Sequence, residues 1–338
     1  MTPAEKLAAD LLAAIGDNTD NQAVNQWIDT GFAPLNKIMS GRYDGGLPYG
    51  RMLEMFGDSS TGKTALATKW MCRAQAMGGV AGFMDWERSF SVDLAKAPSF
   101  GLNDKRPYWI YGKPRTWEEG NTVAAKAALT IRKSGAIPDD APILFVFDSI
   151  AAAMPKSQAD KELDEYTMND TTALARVTST TLKAMAQVCE DANATFLYLN
   201  QMRLKPGVVY GDPRTTPGGK AMEFYASVRL ALGRQKIMEG TGADKEFVGQ
   251  KIGIQCTKSK FTKPFNECSL RLGFDDAGVA SFDPIISLIE KLVELGAVPY
   301  SKPRVTWTDG KQYFVKALAQ KLNAEPNGYA ELVALLPK

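Results

Sequence analysis

Eight consecutive residues constrain this chain more than any others: Gly57-Asp58-Ser59-Ser60-Thr61-Gly62-Lys63-Thr64. They satisfy the phosphate-loop pattern G-x-x-x-x-G-K-[ST] at every position. The flanks agree, because residues 51–56 (RMLEMF) predict a short strand and residues 64–77 a helix. A strand running through a glycine-rich turn into a helix commits the chain to a layered α/β architecture, since the helix must pack back on a sheet. It also commits the chemistry. Glycines adopt backbone angles that other residues resist. Successive N–H groups and the helix N-terminus then converge on an anion. Lys63 is the residue to reach the β- and γ-phosphates, and the Thr64 hydroxyl is a ligand for Mg²⁺. The motif predicts a bound nucleoside triphosphate; what the nucleotide drives must be sought in the rest of the chain.

Apolar strand patterns alternate with helical ones after the loop. Residues 80–85 (VAGFMD), 143–148 (ILFVFD) and 195–200 (TFLYLN) are continuous apolar runs, as expected of strands covered on both faces. Helices are predicted over 117–134 and 171–192, and this β–α alternation implies a mainly parallel sheet. Residues 226–232 and 251–258 extend the sheet, partly antiparallel. An amphipathic helix over 4–15 precedes a polar linker at 17–21 and suits either a cap on its own core or a contact with a neighbouring molecule. Beyond residue 282 the pattern changes to a helix over 284–295, a hairpin around Asp309-Gly310, and helices over 313–322 and 329–335. The expected division is an N-terminal helix and linker for oligomerisation (1–30), an ATPase core (31–282) and a small α+β domain (283–338).

The chain of 338 residues has no histidine. That excludes histidine bases, histidine metal ligands and histidine-containing triads together. Its four cysteines (Cys72, Cys189, Cys256, Cys268) form no C-x-x-C pair and suit buried thiols in a reducing cytoplasm. No apolar run approaches the roughly 20 residues of a membrane span, and the N-terminus lacks the pattern of a signal peptide. A net charge of +2 does not demand a polyanionic partner, so any nucleic-acid surface must arise from local clustering.

Open α/β sheets bind ligands at the carboxyl ends of their strands, and candidates stand at several such ends. Asp148, after the 143–147 run, suits the Mg²⁺ partner of a phosphate loop or an ordinary helix cap. Asp85, which ends the 80–85 run, and Glu87, two residues on, compete for the carboxylate that activates water in the absence of histidine. Gln201 suits a γ-phosphate sensor or a surface amide. Residues 201–220 (QMRLKPGVVYGDPRTTPGGK) are rich in Gly and Pro, and Arg203, Lys205, Arg214 and Lys220 outnumber the single acid Asp212. Loops of that length are usually functional or disordered, and this one suits a polyanion or plain solvent. Lys258 and Lys260, at another strand end, suit a phosphate clamp or a charged sheet edge.

Several of these segments together resemble the bacterial RecA family of DNA strand-exchange ATPases. They are GRMLEMFGDSSTGKTALA (50–67), FMDWE (83–87), LFVFDSIAAAMPK (144–156), FLYLNQMRLKPGVVYGDPRTTPGGKAMEFYASVRLAL (196–232) and TKSKFTKPF (257–265). The resemblance covers nearly the whole chain, and its 196–232 stretch is the most specific. It implies that Glu87 is the catalytic glutamate, Asp148 the Walker B aspartate, and Gln201 the coupling between γ-phosphate and the second DNA loop. It implies that Lys258 and Lys260 reach an ATP bound to the adjacent subunit and that Phe224 lies in the subunit interface. DNA contacts are implied at Arg176, beyond a first loop at 160–170, and at Arg203, Lys205, Arg214, Gly218, Gly219 and Lys220.

The departures are specific. The first loop is longer and acidic (Asp160, Glu162, Asp164, Glu165). Arg214 replaces a usual glutamate, and Pro217 a threonine. Residues 88–97 lack the aspartate and tyrosine that frame adenine in the family. The resemblance leads one to expect an acidic C-terminal tail that restrains DNA binding, and the sequence reaches Lys338 without one; such divergence suits a phage or mobile-element recombinase.

The expectation is an α/β RecA-type core that uses ATP and Mg²⁺. It would form helical filaments on single-stranded DNA and exchange strands with homologous duplex in the cytoplasm. One alternative is a hexameric helicase or motor, against which the 196–232 match argues. The other is a non-hydrolysing scaffold, against which intact Lys63, Thr64, Glu87 and Asp148 argue.

Overall fold

The computed structural model describes residues 2–15, 24–162, 165, 172–204, 214–240 and 242–337. A nine-stranded sheet forms its centre. Across the sheet the strands run Ala280–Asp283, Glu267–Phe274, Glu246–Ser259, Val228–Glu239, Met52–Gly57, Ala194–Gln201, Ile143–Asp148, Val80–Asp85 and Trp109–Gly112. The six from Val228–Glu239 to Trp109–Gly112 are parallel, and the remaining three join antiparallel.

Side-chain alternation explains why the parallel runs are apolar throughout. Along Ile143–Asp148, Leu144 and Val146 enter one core, with Trp70 and Met71 of the Lys63–Ala76 helix. Phe145 and Phe147 enter the opposite core, with Trp117 of the Trp117–Ser134 helix and Leu182 and Met185 of the Ala173–Asp191 helix. A strand buried on both faces can present polarity only at its ends. The end residues Gly57, Asp85, Asp148 and Gln201 therefore lie along one edge of the sheet, with Gly57 level with Gln201 and Asp85 level with Asp148.

Several elements went unread in the sequence. Trp109–Gly112 is only four residues long. Glu267–Phe274 did carry a period-two signal, since Cys268, Leu270 and Leu272 are its buried positions. Ala33–Ser40 is a helix with proline in its first turn. The hairpin around Asp309-Gly310 pairs Arg304–Thr306 with Gln312–Phe314. The helix expected from 313 starts at Val315 because Gln312–Phe314 is used as strand. Residues 285–336 build a third apolar cluster that Ala33 joins, where the Ala33 N–H donates to the Tyr329 hydroxyl at 2.8 Å. The helix Pro3–Ile15 leaves Leu7 and Leu12 exposed. All four cysteines are free thiols, and three are buried. Among the described residues no helix is long and apolar enough to cross a membrane.

Candidate nucleotide site and its neighbours

The loop between Met52–Gly57 and Lys63–Ala76 is built for an anion. A Cβ on Gly57 would lie 2.3 Å from the Leu232 carbonyl oxygen of the next strand, so only glycine lets the loop leave the sheet there. Gly62 has φ +87°, an angle that L side chains rarely adopt. Other helices here begin with a side-chain cap: Thr116 accepts from Glu119 N–H, and Asp283 from Ile286 N–H. The Lys63–Ala76 helix begins at Gly62 with no side-chain cap, which leaves first-turn N–H groups for a ligand. Lys63 Nζ donates to the Gly57 carbonyl at 3.0 Å and the Asp58 carbonyl at 2.7 Å. Burial lowers its pKa, opposed by the charges of Asp148, Glu87 and Asp58.

Asp148 meets Thr64 directly: the Thr64 hydroxyl donates to Asp148 Oδ2 at 2.8 Å. Burial pushes the Asp148 carboxyl up to about 7; Glu87 and Asp85 push the same way, against the Thr64 hydrogen bond and Lys63. Lys63 and the Thr64 hydroxyl only partly offset the cost of burying that carboxylate. Two hard oxygen donors side by side fit Mg²⁺, which characteristically takes one or two carboxylates together with phosphate oxygens and water. No group of three or more carboxylate, cysteine or histidine ligands occurs among the described residues.

Asp85 and Glu87 differ in their hydrogen bonds. Asp85 is buried and accepts from Arg88 N–H at 2.7 Å, Phe90 N–H at 3.2 Å and the Tyr111 hydroxyl at 2.8 Å. It is spent in shaping the turn. Glu87 is exposed, and its Oε1 accepts from Ser149 Oγ and, at 3.2 Å, from Gln201 Nε2. Asp148, Glu87, Gln201 and the phosphate loop thus converge, as their strand ends require. Ser149 was missed in the sequence; nothing in its spacing sets it apart from a helix-capping serine.

The segment 88–97 forms the short helix Val92–Lys96, capped by Ser91. A cavity of about 280 Å³ opens between it and the phosphate-loop helix, lined by Thr64, Thr68, Phe90, Leu94, Phe100 and Phe274 among others.

Asn200 links the site to the 201–220 segment. Its Nδ2 donates to Glu54 Oε1 at 2.9 Å and to the Pro217 carbonyl at 3.0 Å, and its Oδ1 accepts from Gln201 N–H at 2.9 Å. Arg203 pairs with Thr215, and Leu204 with Arg214, in an antiparallel ribbon. Arg203 is exposed; Lys205 lies outside the described residues, as does the side chain of Arg214. Gly218 and Gly219 pack on Ile150, Thr178 and Ala175, so they shape the chain's return. Lys220 is exposed at the start of the Ala221–Tyr225 helix. Arg176 is exposed on the first turn of Ala173–Asp191 and donates to Thr172 Oγ1 at 3.0 Å. Of the first loop, residues 163, 164 and 166–170 lie outside the described residues.

Lys258 and Lys260 stand elsewhere. Lys258 pairs with Arg229, and Arg229 with Glu54, near the amino ends of the parallel strands. Gly57 is three residues farther along, so ~10 Å along the strand and ~10 Å across two strands separate the rows. Lys258 Nζ is turned to the Glu223 and Phe224 carbonyls, at 2.5 and 3.0 Å. Burial lowers its pKa, as do Lys260 and Arg229, against Glu223. Phe224 beside it is 72% exposed. One chain does not bring these lysines to its own phosphate loop.

Comparison with known proteins shows the family. A family model for the RecA N-terminal domain matches residues 6–279. The chain is 33% identical over 268 residues to Protein RecA of Lactococcus lactis subsp. cremoris (strain MG1363), covering 79% of this chain and 64% of that protein. It is 33% identical over 254 residues to Protein RecA of Thermus aquaticus, covering 75% of this chain and 68% of the relative. To Protein RecA of Thermus thermophilus it is 31% identical over 282 residues, covering 82% of this chain and 76% of the relative. The match thus spans just under two thirds of the length of the Lactococcus relative. With a family match across most of its length and the phosphate loop, Asp148, Glu87 and Gln201 gathered at one sheet edge, this chain belongs to the RecA family.

Proposed function

We propose that the chain is an ATP-dependent recombinase that assembles as a filament on single-stranded DNA, pairs it with homologous duplex and exchanges strands. The observation that carries this reading is the Gln201–Glu87 hydrogen bond. It joins the nucleotide chemistry to the residue that opens the basic 201–220 segment. In this reading the triphosphate lies in the Gly57–Thr64 loop, Lys63 steadies its β- and γ-phosphates, and Thr64 and Asp148 hold Mg²⁺, which supplies charge neutralisation at the phosphates. Glu87 takes a proton from water as the water oxygen bonds to the γ-phosphorus. The bond from that phosphorus to the bridging oxygen breaks, and ADP and phosphate leave. Gln201, drawn to the γ-phosphate, orders the 202–218 loop against DNA, and hydrolysis releases it. Arg176, Arg203, Lys205, Arg214 and Lys220 hold the DNA backbone, so binding is largely independent of sequence and weakens with salt; homology is tested by base pairing.

ATP then sits between protomers. The phosphate loop comes from one, and Lys258, Lys260 and Phe224 from the next, in a head-to-tail contact that propagates as a helix. The separation of the lysines from their own phosphate loop supports this.

The apolar cavity beside Thr64 suits the nucleotide base. Apolar walls reward burial and stacking but discriminate poorly between bases of similar shape, by roughly 10- to 200-fold at most. ATP and GTP are therefore expected to give kcat/KM values within about 200-fold of each other; a preference beyond about a thousandfold would show a polar base code elsewhere.

The decisive experiment is electron microscopy with single-stranded DNA and a non-hydrolysable ATP analogue, followed by a strand-exchange assay with ATP. Helical filaments and exchanged product are expected. Closed rings that unwind duplex would favour the helicase alternative, and filaments without exchange or turnover would favour a scaffold.

A further inference from the structure

Glu87 is held more firmly than an exposed loop carboxylate needs to be. Asp85 occupies the turn before it with three accepted hydrogen bonds. Trp86 packs between Trp117 and Phe147, with ring centroids 5.4 and 5.9 Å away, and its indole N–H donates to the Thr116 carbonyl. The N–H groups of Trp86 and Glu87 both donate to the Asp148 carbonyl, at 2.8 and 3.2 Å. The next residue, Ser149, is fully buried, and its hydroxyl donates to Glu87 Oε1. Backbone and side chain of Glu87 are thereby fastened to the same two residues at the end of Ile143–Asp148.

The two side-chain donors to Glu87 differ in kind. Both Ser149 Oγ and Gln201 Nε2 converge on Oε1. Ser149 is immobilised in the core, whereas Gln201 is half-buried at the mouth of the 201–220 segment. Fixing one oxygen of a planar carboxylate orients the other. A general base must meet its water within a few tenths of an ångström, and a misplacement of about 1 Å can lower the rate about a hundredfold.

We propose that Ser149 is the positioning residue of Glu87: its hydroxyl holds Oε1 and leaves Oε2 as the oxygen that takes the proton from water. The assignment rests on the hydrolytic reading above. Gln201 shares Oε1, so Ser149 is the donor that keeps Glu87 aimed once Gln201 turns toward the γ-phosphate. The hold on the base thus survives the motion that links nucleotide to DNA.

The test uses the full chain with single-stranded DNA and compares Ser149→Ala, Ser149→Cys, Glu87→Gln and the double variant Ser149→Ala/Glu87→Gln. Ser149→Ala is expected to lower kcat about 10- to 100-fold. The KM for ATP, binding of a fluorescent ATP analogue and analogue-dependent DNA binding should stay within about twofold, as for an interaction that acts on turnover alone. Ser149→Cys keeps the shape with a weaker donor; it should fall between the two and provides the measurement if the alanine variant does not fold. The double variant should be no slower than Glu87→Gln alone, because Ser149 acts through Glu87. Wild-type kcat in Ser149→Ala, with Glu87→Gln inactive, would overturn the role of Ser149 and leave the hydrolytic reading intact. Parallel loss of nucleotide binding and kcat, or a double variant clearly slower than Glu87→Gln, would also overturn it. Normal turnover in Glu87→Gln would instead remove Glu87 as the base.

Discussion

A chain carrying Lys63→Ala and a chain carrying Lys258→Ala with Lys260→Ala are each expected to lose DNA-stimulated ATP turnover, and an equal mixture of the two is expected to regain part of it. The separate losses should reach at least about a hundredfold, the scale for removing a charge that stabilises a phosphoryl transition state. The recovery follows from geometry. Lys258 lies level with Glu54, three residues before the end of the strand that leads into the phosphate loop and two strands away, and its ammonium faces the Glu223 and Phe224 carbonyls. Its contribution to catalysis therefore requires a second protomer. In a randomly mixed head-to-tail assembly, about one junction in four joins an intact loop to intact lysines, so about a quarter of wild-type turnover is expected. Turnover by the mixture equal to the average of its inactive components would exclude the shared site. Full activity in the double-lysine variant would show that those lysines only blunt a sheet edge.

The second large effect concerns stability. Glu54 lies in the middle of Met52–Gly57, fully buried, and accepts from Arg229 Nε at 2.6 Å and from Asn200. The Arg229 guanidinium also lies 4.9 Å from the centre of the Phe56 ring. Arg229→Met strands a buried carboxylate and is expected to lower stability by about 3–5 kcal/mol. Replacing both partners, as Glu54→Leu with Arg229→Met, removes the uncompensated charge and should restore most of that loss. Denaturant midpoints measure both. A loss below about 1 kcal/mol for Arg229→Met, the scale of an exposed pair, would mean that the pair is solvated and the strand tolerates it as a surface contact. The same pair lies beneath Asn200, which holds the Pro217 carbonyl, so the single variant should also loosen the return of the 201–220 segment.

Much of the central sheet was legible because its residues are repetitive. Val80–Asp85 and Ile143–Asp148 were read to the residue, since an uninterrupted apolar run ending in a carboxylate has few other uses. The short edge strand Trp109–Gly112 was not, because four residues carry too little pattern. Glu54 was visible in RMLEMF as a charge inside an apolar strand. A buried carboxylate demands a partner, but nothing local names Arg229, 175 positions away.

By itself the sequence determined the anion cradle. Gly57, Gly62, Lys63 and Thr64 are neighbours in the chain, and a phosphate loop is a local object whose backbone and helix N-terminus act within eight residues. Tertiary structure showed how differently the two neighbouring carboxylates are engaged. Asp85 and Glu87 are two positions apart and equivalent on paper, yet Asp85 is consumed by Arg88, Phe90 and Tyr111, while Glu87 meets Ser149 and Gln201. It also separated Lys258 and Lys260 from the loop in the same chain. The physical reason is one of range. Backbone conformation is encoded by adjacent residues, but hydrogen-bond partnership is set by which strand ends the sheet order brings together, and that order is a property of the whole core.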